Sequence, residues 1–210
     1  MAAYVLLASV DSRAEPAGHV RVFRASDQPI ADQLLPDDEI VVVTPDYDVA
    51  VPDHTLNAAE TVIDATTRAD VVAVVDVNRI NAVFVDKGAW IRTQISGVLQ
   101  ETIKISSRVR PLYRRGKSVT LNVSGGELQL GRVLIRAGHP LRLRLHSEYL
   151  LFMKDHGDLG LSPTHTPLVI SNGRLVDTLP PGVADYPDPL VGLAVDDVKR
   201  MVRSVPKPQA

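Results

Sequence analysis

Cysteine is absent from this 210-residue chain, so disulfides, thiolate metal sites and a cysteine nucleophile are excluded together. Aromatic residues are scarce at 4%, with three Phe, five Tyr and one Trp. That supply is too small for an aromatic-lined sugar cleft or a broad base-stacking platform. No apolar run approaches the roughly 20 residues that a bilayer-spanning helix needs, and no transmembrane segment is expected. What remains is a chain with 45% hydrophobic and 23% charged residues, the shares of a polypeptide that folds around a core.

The formal net charge of −2 conceals an asymmetry. Residues 1–101 carry 7 Lys/Arg against 16 Asp/Glu, residues 102–147 carry 10 against Glu127 alone, and residues 148–210 carry 6 against 8. A basic block of this kind either faces an anionic partner or is answered by the acidic half of the same chain.

The run 3–10 is short and apolar and is followed by Ser12-Arg13-Ala14. It matches the apolar region and cleavage zone of an export signal, leaving a signal remnant at 1–14, or equally a first β-strand. The segment 1–55 is otherwise expected to be an irregular covering, punctuated by Pro29, Pro36, Pro45 and Pro52. Two apolar stretches interrupt it, 19–23 and the β-branched Ile40-Val41-Val42-Val43, the latter a short buried strand. Asp37-Asp38-Glu39 reads as a solvated acidic run on a loop.

Over 56–68 the period changes. Leu56, Ala59, Ile63 and Thr66 fall at helical spacing, and Asn57 with Glu60 forms a capping-box pattern at the start of a short helix. From 70 to 176 strand follows strand. Val71 to Val77 is nearly continuous valine, the pattern of a strand buried on both faces. Ile91, Thr93, Ile95, Leu99, Ile103 and Ile105 share one parity, with Gly97 placed for a bulge that bends the strand. Val119, Leu121 and Val123 alternate with polar residues before Gly125-Gly126, and Leu128 and Leu130 lead into Val133-Leu134-Ile135. Leu141, Leu143 and Leu145 alternate with Arg142, Arg144 and His146. Residues 149–153 form a buried strand, and Asn172-Gly173 is a hairpin turn signal.

Such a series predicts a mainly β protein, with helix and antiparallel β-barrel over 56–176; an open sandwich is the alternative. Residues 177–210 are expected to form a proline-rich arm, with Pro180-Pro181-Gly182, and then a C-terminal helix. That helix presents Val195, Val198, Val202 and Val205 on one face. Asp196-Asp197 stand in its first turn and Lys199, Arg200 and Arg203 in later ones, the charge order a helix dipole favours.

Ala69-Asp70-Val71-Val72 opens the valine strand, Gly125-Gly126 closes a later one, and Tyr149-Leu150-Leu151-Phe152 marks a third. In this order, over about 56–205, the chain resembles a group of uncharacterised, mostly exported bacterial proteins with an OB-like β-barrel. The resemblance implies an OB-like barrel with a short preceding helix and a C-terminal helix, in an extracytoplasmic protein. Arg114-Arg115-Gly116 stands where that group tends to carry a Leu-Lys-Gly turn.

Chemistry has few footholds. The chain lacks a Gly-x-Ser-x-Gly elbow, a phosphate-cradling glycine loop and a His-x-x-x-His ligand pair, so neither an enzyme nor a cofactor is expected. Asp155, His156 and His165, with Asp158, form a polar cluster that is a weak candidate for a metal, or else a solvated turn. His139 and His146, an odd number of residues apart, make a poor ligand pair. The most pointed feature is 106–117, where Arg108, Arg110, Arg114, Arg115 and Lys117 surround Tyr113. Arg142 and Arg144 are candidates to extend that patch.

These residues are consistent with a non-enzymatic binding module for an anionic ligand or partner at the bacterial cell envelope. Two alternatives remain: a cytoplasmic single-stranded nucleic-acid-binding barrel, and a metal-dependent hydrolase built around Asp155, His156 and His165.

Overall fold

The computed structural model describes residues 20–45, 56–106, 109, 113–138, 141–157, 160–178 and 188–206. The segment 1–14, Arg108, Arg110, His139, Asp158 and residues 179–187 of the proline-rich arm lie outside the described residues. The protein is mainly β, as its alternation predicts. Its residues divide between two compact units, one within 1–51, 80–94 and 123–141, the other within 52–79, 95–122 and 142–210.

The first unit is built on a four-stranded sheet. Strand β1 (Val20–Arg24) runs parallel to β2 (Ile40–Thr44), β2 parallel to β7 (Val133–Ala137), and β7 antiparallel to β6 (Gly126–Leu130). Parallel neighbours need a long crossover, and residues 25–39, with a 3-10 turn at Ile30–Gln33, supply it between β1 and β2. Residues 20–45 of the covering segment are therefore more regular than their prolines imply. Asp38, expected in a solvated run, is only 1% exposed and is held by Arg21. Ile30, Val41, Val43, Ile91, Leu128, Ile135 and Ala137 form the core of this unit. Strands β6 and β7, expected in the barrel, belong to this sheet instead. The backbone partners of β7 are β2 and β6.

In the second unit the capping box forms as expected. Asn57 Oδ1 accepts from the Ala59 and Glu60 N–H groups, both at 3.0 Å, and Glu60 accepts from the Asn57 N–H at 2.9 Å. Helix α1 (Ala58–Arg68) follows, but its buried face differs from the expected one. Val62, Ala65 and Thr66 turn inward while Ile63 is 53% exposed. Val62 and Ala65 share a core with Val195, Val198 and Val202 of α2 (Val195–Ser204), and their small volume suits two closely packed helices.

The valine strand is β3 (Val71–Val85) and the long strand β4 (Trp90–Ile105). Burial alternates in β4 from Ile91 to Leu99 without a change of phase at Gly97, so no bulge is needed there. What Gly97 supplies is room, because a Cβ would lie 2.3 Å from the Asp76 carbonyl oxygen. Strands β3, β4 and β5 (Ser118–Ser124) are neighbours in one sheet, and β8 (Ser147–Asp155) lies antiparallel to β3. The three-residue β9 (Leu161–Pro163) pairs antiparallel with β8 and parallel with β5 through Leu121 and Leu161. The order β3-β4-β5-β9-β8 therefore closes on itself as a ring.

Beyond β8 the sheet continues through β10 (Leu168–Ser171) and β11 (Arg174–Val176), joined at Asn172-Gly173, where both residues have positive φ as the turn signal requires. After the undescribed part of the arm, residues 188–193 are docked rather than free: Leu190 is fully buried and the Gly192 N–H bonds the Leu175 carbonyl.

Leu141, Leu143 and Leu145 do not form the expected strand. Leu145 is 46% exposed, and the other two are half-buried. The backbone N–H groups here find single partners instead of a ladder. That of Arg142 donates to the Thr178 carbonyl and that of Arg144 to the Tyr149 hydroxyl, before His146 turns into β8 with φ of 55°.

Candidate anion-binding groove

The basic loop returns beside β4. The Gly116 N–H donates to the Leu99 carbonyl at 2.7 Å and the Leu99 N–H to the Lys117 carbonyl at 2.9 Å. A turn closed by the Lys117 N–H on the Arg114 carbonyl, with Gly116 at φ of 81°, throws Arg114 and Arg115 outward. Arg114, Arg115 and Lys117 are exposed. Among the described residues none of the three has an ion-pair partner.

Tyr113 is anchored rather than free. Its hydroxyl donates a 3.0 Å hydrogen bond to Asp155 Oδ2 at the end of β8. Burial, then the hydrogen bond to Asp155 and the charges of Asp155 and Asp70, push its phenol up to about 12. A ring tied by its polar end and half-buried offers little face for a stacked base.

Arg114, Arg115 and Tyr113 line an open groove of about 570 Å³ together with Gln100, Glu101, Thr102 and Ile105 of β4. Glu101 ties the groove to α2, which it meets through the Lys199 ammonium at 2.7 Å and the Arg203 guanidinium at 2.8 Å. Burial works against the charge of Lys199, but the hydrogen bond and charge of Glu101, aided by Asp196, outweigh it and leave its pKa raised. Nearby, Lys104 donates to the Thr66 carbonyl. Burial lowers its pKa and Lys154 adds to that, while Asp70 opposes them.

Not every candidate joins this groove. Arg142 and Arg144 precede Ser147 at the opposite end of β8 from Asp155, roughly 26 Å away at about 3.3 Å per residue. Neither lines the groove with Arg114 and Arg115. The metal candidates are also dispersed among other partners. Asp155 accepts from Tyr113 and from the Gly157 N–H, His156 bonds Ser162, and His165 lies between the Thr166 carbonyl and Asp188. Among the described residues no group of three or more metal-ligating side chains is assembled. A second groove of about 830 Å³, in the first unit, sets Asp37 and Glu39 beside Arg132 and has no excess of positive charge.

Sequence reasoning missed Glu101, Lys199 and Arg203. The spacing of Lys199 and Arg203, four apart on one helix, places them on a common face; nothing in the sequence pairs them with Glu101. No protein-family model matches the chain, and no curated protein matches it significantly.

Proposed function

We propose that this protein is a non-enzymatic module that binds an anionic polymer of the bacterial cell envelope, outside the cytoplasm, through the groove at Arg114 and Arg115. One observation carries the reading: two exposed guanidinium groups, free of ion pairs among the described residues, stand on one rim of an open groove. Guanidinium forks suit carboxylate, sulfate and phosphate groups alike and need no aromatic platform. The envelope setting rests on the resemblance carried by Ala69-Asp70-Val71-Val72 and Tyr149-Leu150-Leu151-Phe152.

An OB-like barrel is part of the same proposal. The ring order β3-β4-β5-β9-β8, with a parallel contact between β5 and β9, supports it. Barrels of that kind bind extended polymers across a strand face and adjoining loops. The anchored hydroxyl of Tyr113 favours recognition by charge over recognition by stacked bases.

Retention on immobilised heparin tests the reading. The wild-type protein is expected to elute at raised salt, and Arg114→Ala/Arg115→Ala at distinctly lower salt. Equal elution of the two would overturn it. Saturable binding of a single-stranded oligonucleotide, with no retention on heparin, would favour nucleic acid instead.

A further inference from the structure

Glu101 occupies an unusual position. It lines the same groove as Arg114 and Arg115, and its two carboxylate oxygens meet the two cations of α2 that face the strand. Lys199 reaches Oε2 and Arg203 reaches Oε1. The pair of cations is thus already filled, by an anion belonging to the protein. Lys199 is mostly covered, at 16% side-chain exposure, so its charge depends on a nearby anion more than a solvated lysine's does.

Resting on the reading of the groove as an anion site, we infer that Lys199 and Arg203 are its second half and that Glu101 is a built-in competitor for them. The ligand is then a linear polymer with repeated anionic groups, not a single small anion. A side chain held on the protein competes at the high effective concentration of a tethered group, on the order of millimolar or above. One phosphate or carboxylate in free solution does not displace it. A polymer that has docked its first charges on Arg114 and Arg115 presents the next ones at comparable local concentration, and it displaces Glu101 from Lys199 and Arg203. Competition of this sort turns two modest cation pairs into a filter for chain length.

A double-mutant cycle with a heparin oligosaccharide as probe tests this. Glu101→Gln retains the shape of the side chain and removes its charge; Arg203 is half-exposed and the covered Lys199 keeps Asp196 at 3.5 Å, so the variant is expected to fold, which its urea midpoint checks. Glu101→Gln is expected to bind the probe about 5- to 10-fold more tightly than wild type. In a Lys199→Ala/Arg203→Ala background the same substitution is expected to change affinity by less than about 2-fold. Glu148→Gln, an equal change of charge at the far end of β8, is the control for net charge and is expected to have little effect.

A gain that persists without Lys199 and Arg203, or one matched by Glu148→Gln, overturns the inference and leaves the anion site standing. No gain in Glu101→Gln, with wild-type binding still lost in the Arg114→Ala/Arg115→Ala variant, has the same consequence. If neither wild type nor Glu101→Gln binds the probe, both readings fall.

Discussion

Tyr113 on the basic loop donates a 3.0 Å hydrogen bond to Asp155, the last residue of β8, forty-two positions away in the chain. Asp155 is in turn fastened to the start of β3, where its N–H meets Asp70 Oδ2 at 3.2 Å, so the phenol ties the loop to β8 while Gly116 and Lys117 tie it to β4. The raised ionisation of that phenol makes the contact testable by pH. A group with a higher pKa folded than unfolded stabilises the protein below its unfolded value, near 10 for tyrosine, and loses that contribution toward its folded value. For Tyr113 the window runs from about pH 10 to about 12.

Tyr113→Phe is therefore expected to cost about 1 kcal/mol at pH 8, the ordinary worth of such a hydrogen bond. The gap between variant and wild type narrows as pH rises past 10. Urea denaturation at pH 8 and at pH 11 measures both quantities. A gap independent of pH would show that the phenol is not held by Asp155.

Arg21 and Asp38 make a second prediction, in the first unit. The Arg21 guanidinium meets both carboxylate oxygens, at 2.9 and 2.7 Å, and the Leu35 N–H donates to Oδ2 at 2.7 Å. Hydrogen bonding to Asp38 leads the effects that raise the pKa of Arg21, with burial opposing and the charges of Asp38 and Asp37 assisting. This carboxylate fixes the crossover that lets β1 lie parallel to β2. Asp38→Ala leaves a cation and a turn without their common acceptor, and is expected to destabilise by about 3 kcal/mol. Hydrogen exchange resolved along the chain should show the loss first in β1 and in residues 25–39. Uniform loss throughout both units would contradict it.

The legible parts of this fold are those where one residue type repeats with one geometric consequence. Alternation in β4 from Ile91 to Leu99, the Asn57 capping box, the Asn172-Gly173 turn and the valine face of α2 were all visible as local patterns, and each formed. Leu141, Leu143 and Leu145 show the limit of that logic. Their period is as regular as that of β4, but among the described residues no neighbouring strand offers a ladder, and a strand exists only by its partner. Asp38 fails in the opposite direction. A run of three acids reads as solvated until a distant arginine is known to reach the middle one. At the groove, Arg114 and Arg115 were visible as a charge run. Glu101, Lys199 and Arg203 meet only through tertiary packing of strand on helix, which no local spacing encodes.

The Asn57 cap gives a smaller effect that should stay local. Asn57→Ala removes the acceptor of two N–H groups in the first turn of α1 and releases Glu60 from its reciprocal bond. The expected cost is about 1 kcal/mol. Because α1 shares its core with α2, the Arg203–Glu101 contact reports whether the loss spreads. Anion affinity at the groove is expected to be unchanged in this variant. A parallel fall in affinity would mean that α1 positions α2 for binding.

Two glycines separate the cost of space from the cost of conformation. Gly97 carries no positive φ, but a Cβ there would stand 2.3 Å from the Asp76 carbonyl oxygen and 2.6 Å from Val75 Cγ1. The nearer obstacle is backbone of the adjacent strand, which cannot swing aside as a side chain does. Gly116 is the converse, with φ of 81° and nothing within 4 Å of the place a Cβ would take. Gly97→Ala must part β3 from β4 and is expected to cost about 3 kcal/mol, at the upper end for overpacking. Gly116→Ala meets only the penalty for a left-handed residue, about 1 kcal/mol, with space to spare. Denaturation midpoints of the two variants give the order directly. Should Gly116→Ala prove the more damaging, the close approach of β4 to Asp76 would not be what limits side-chain size at Gly97.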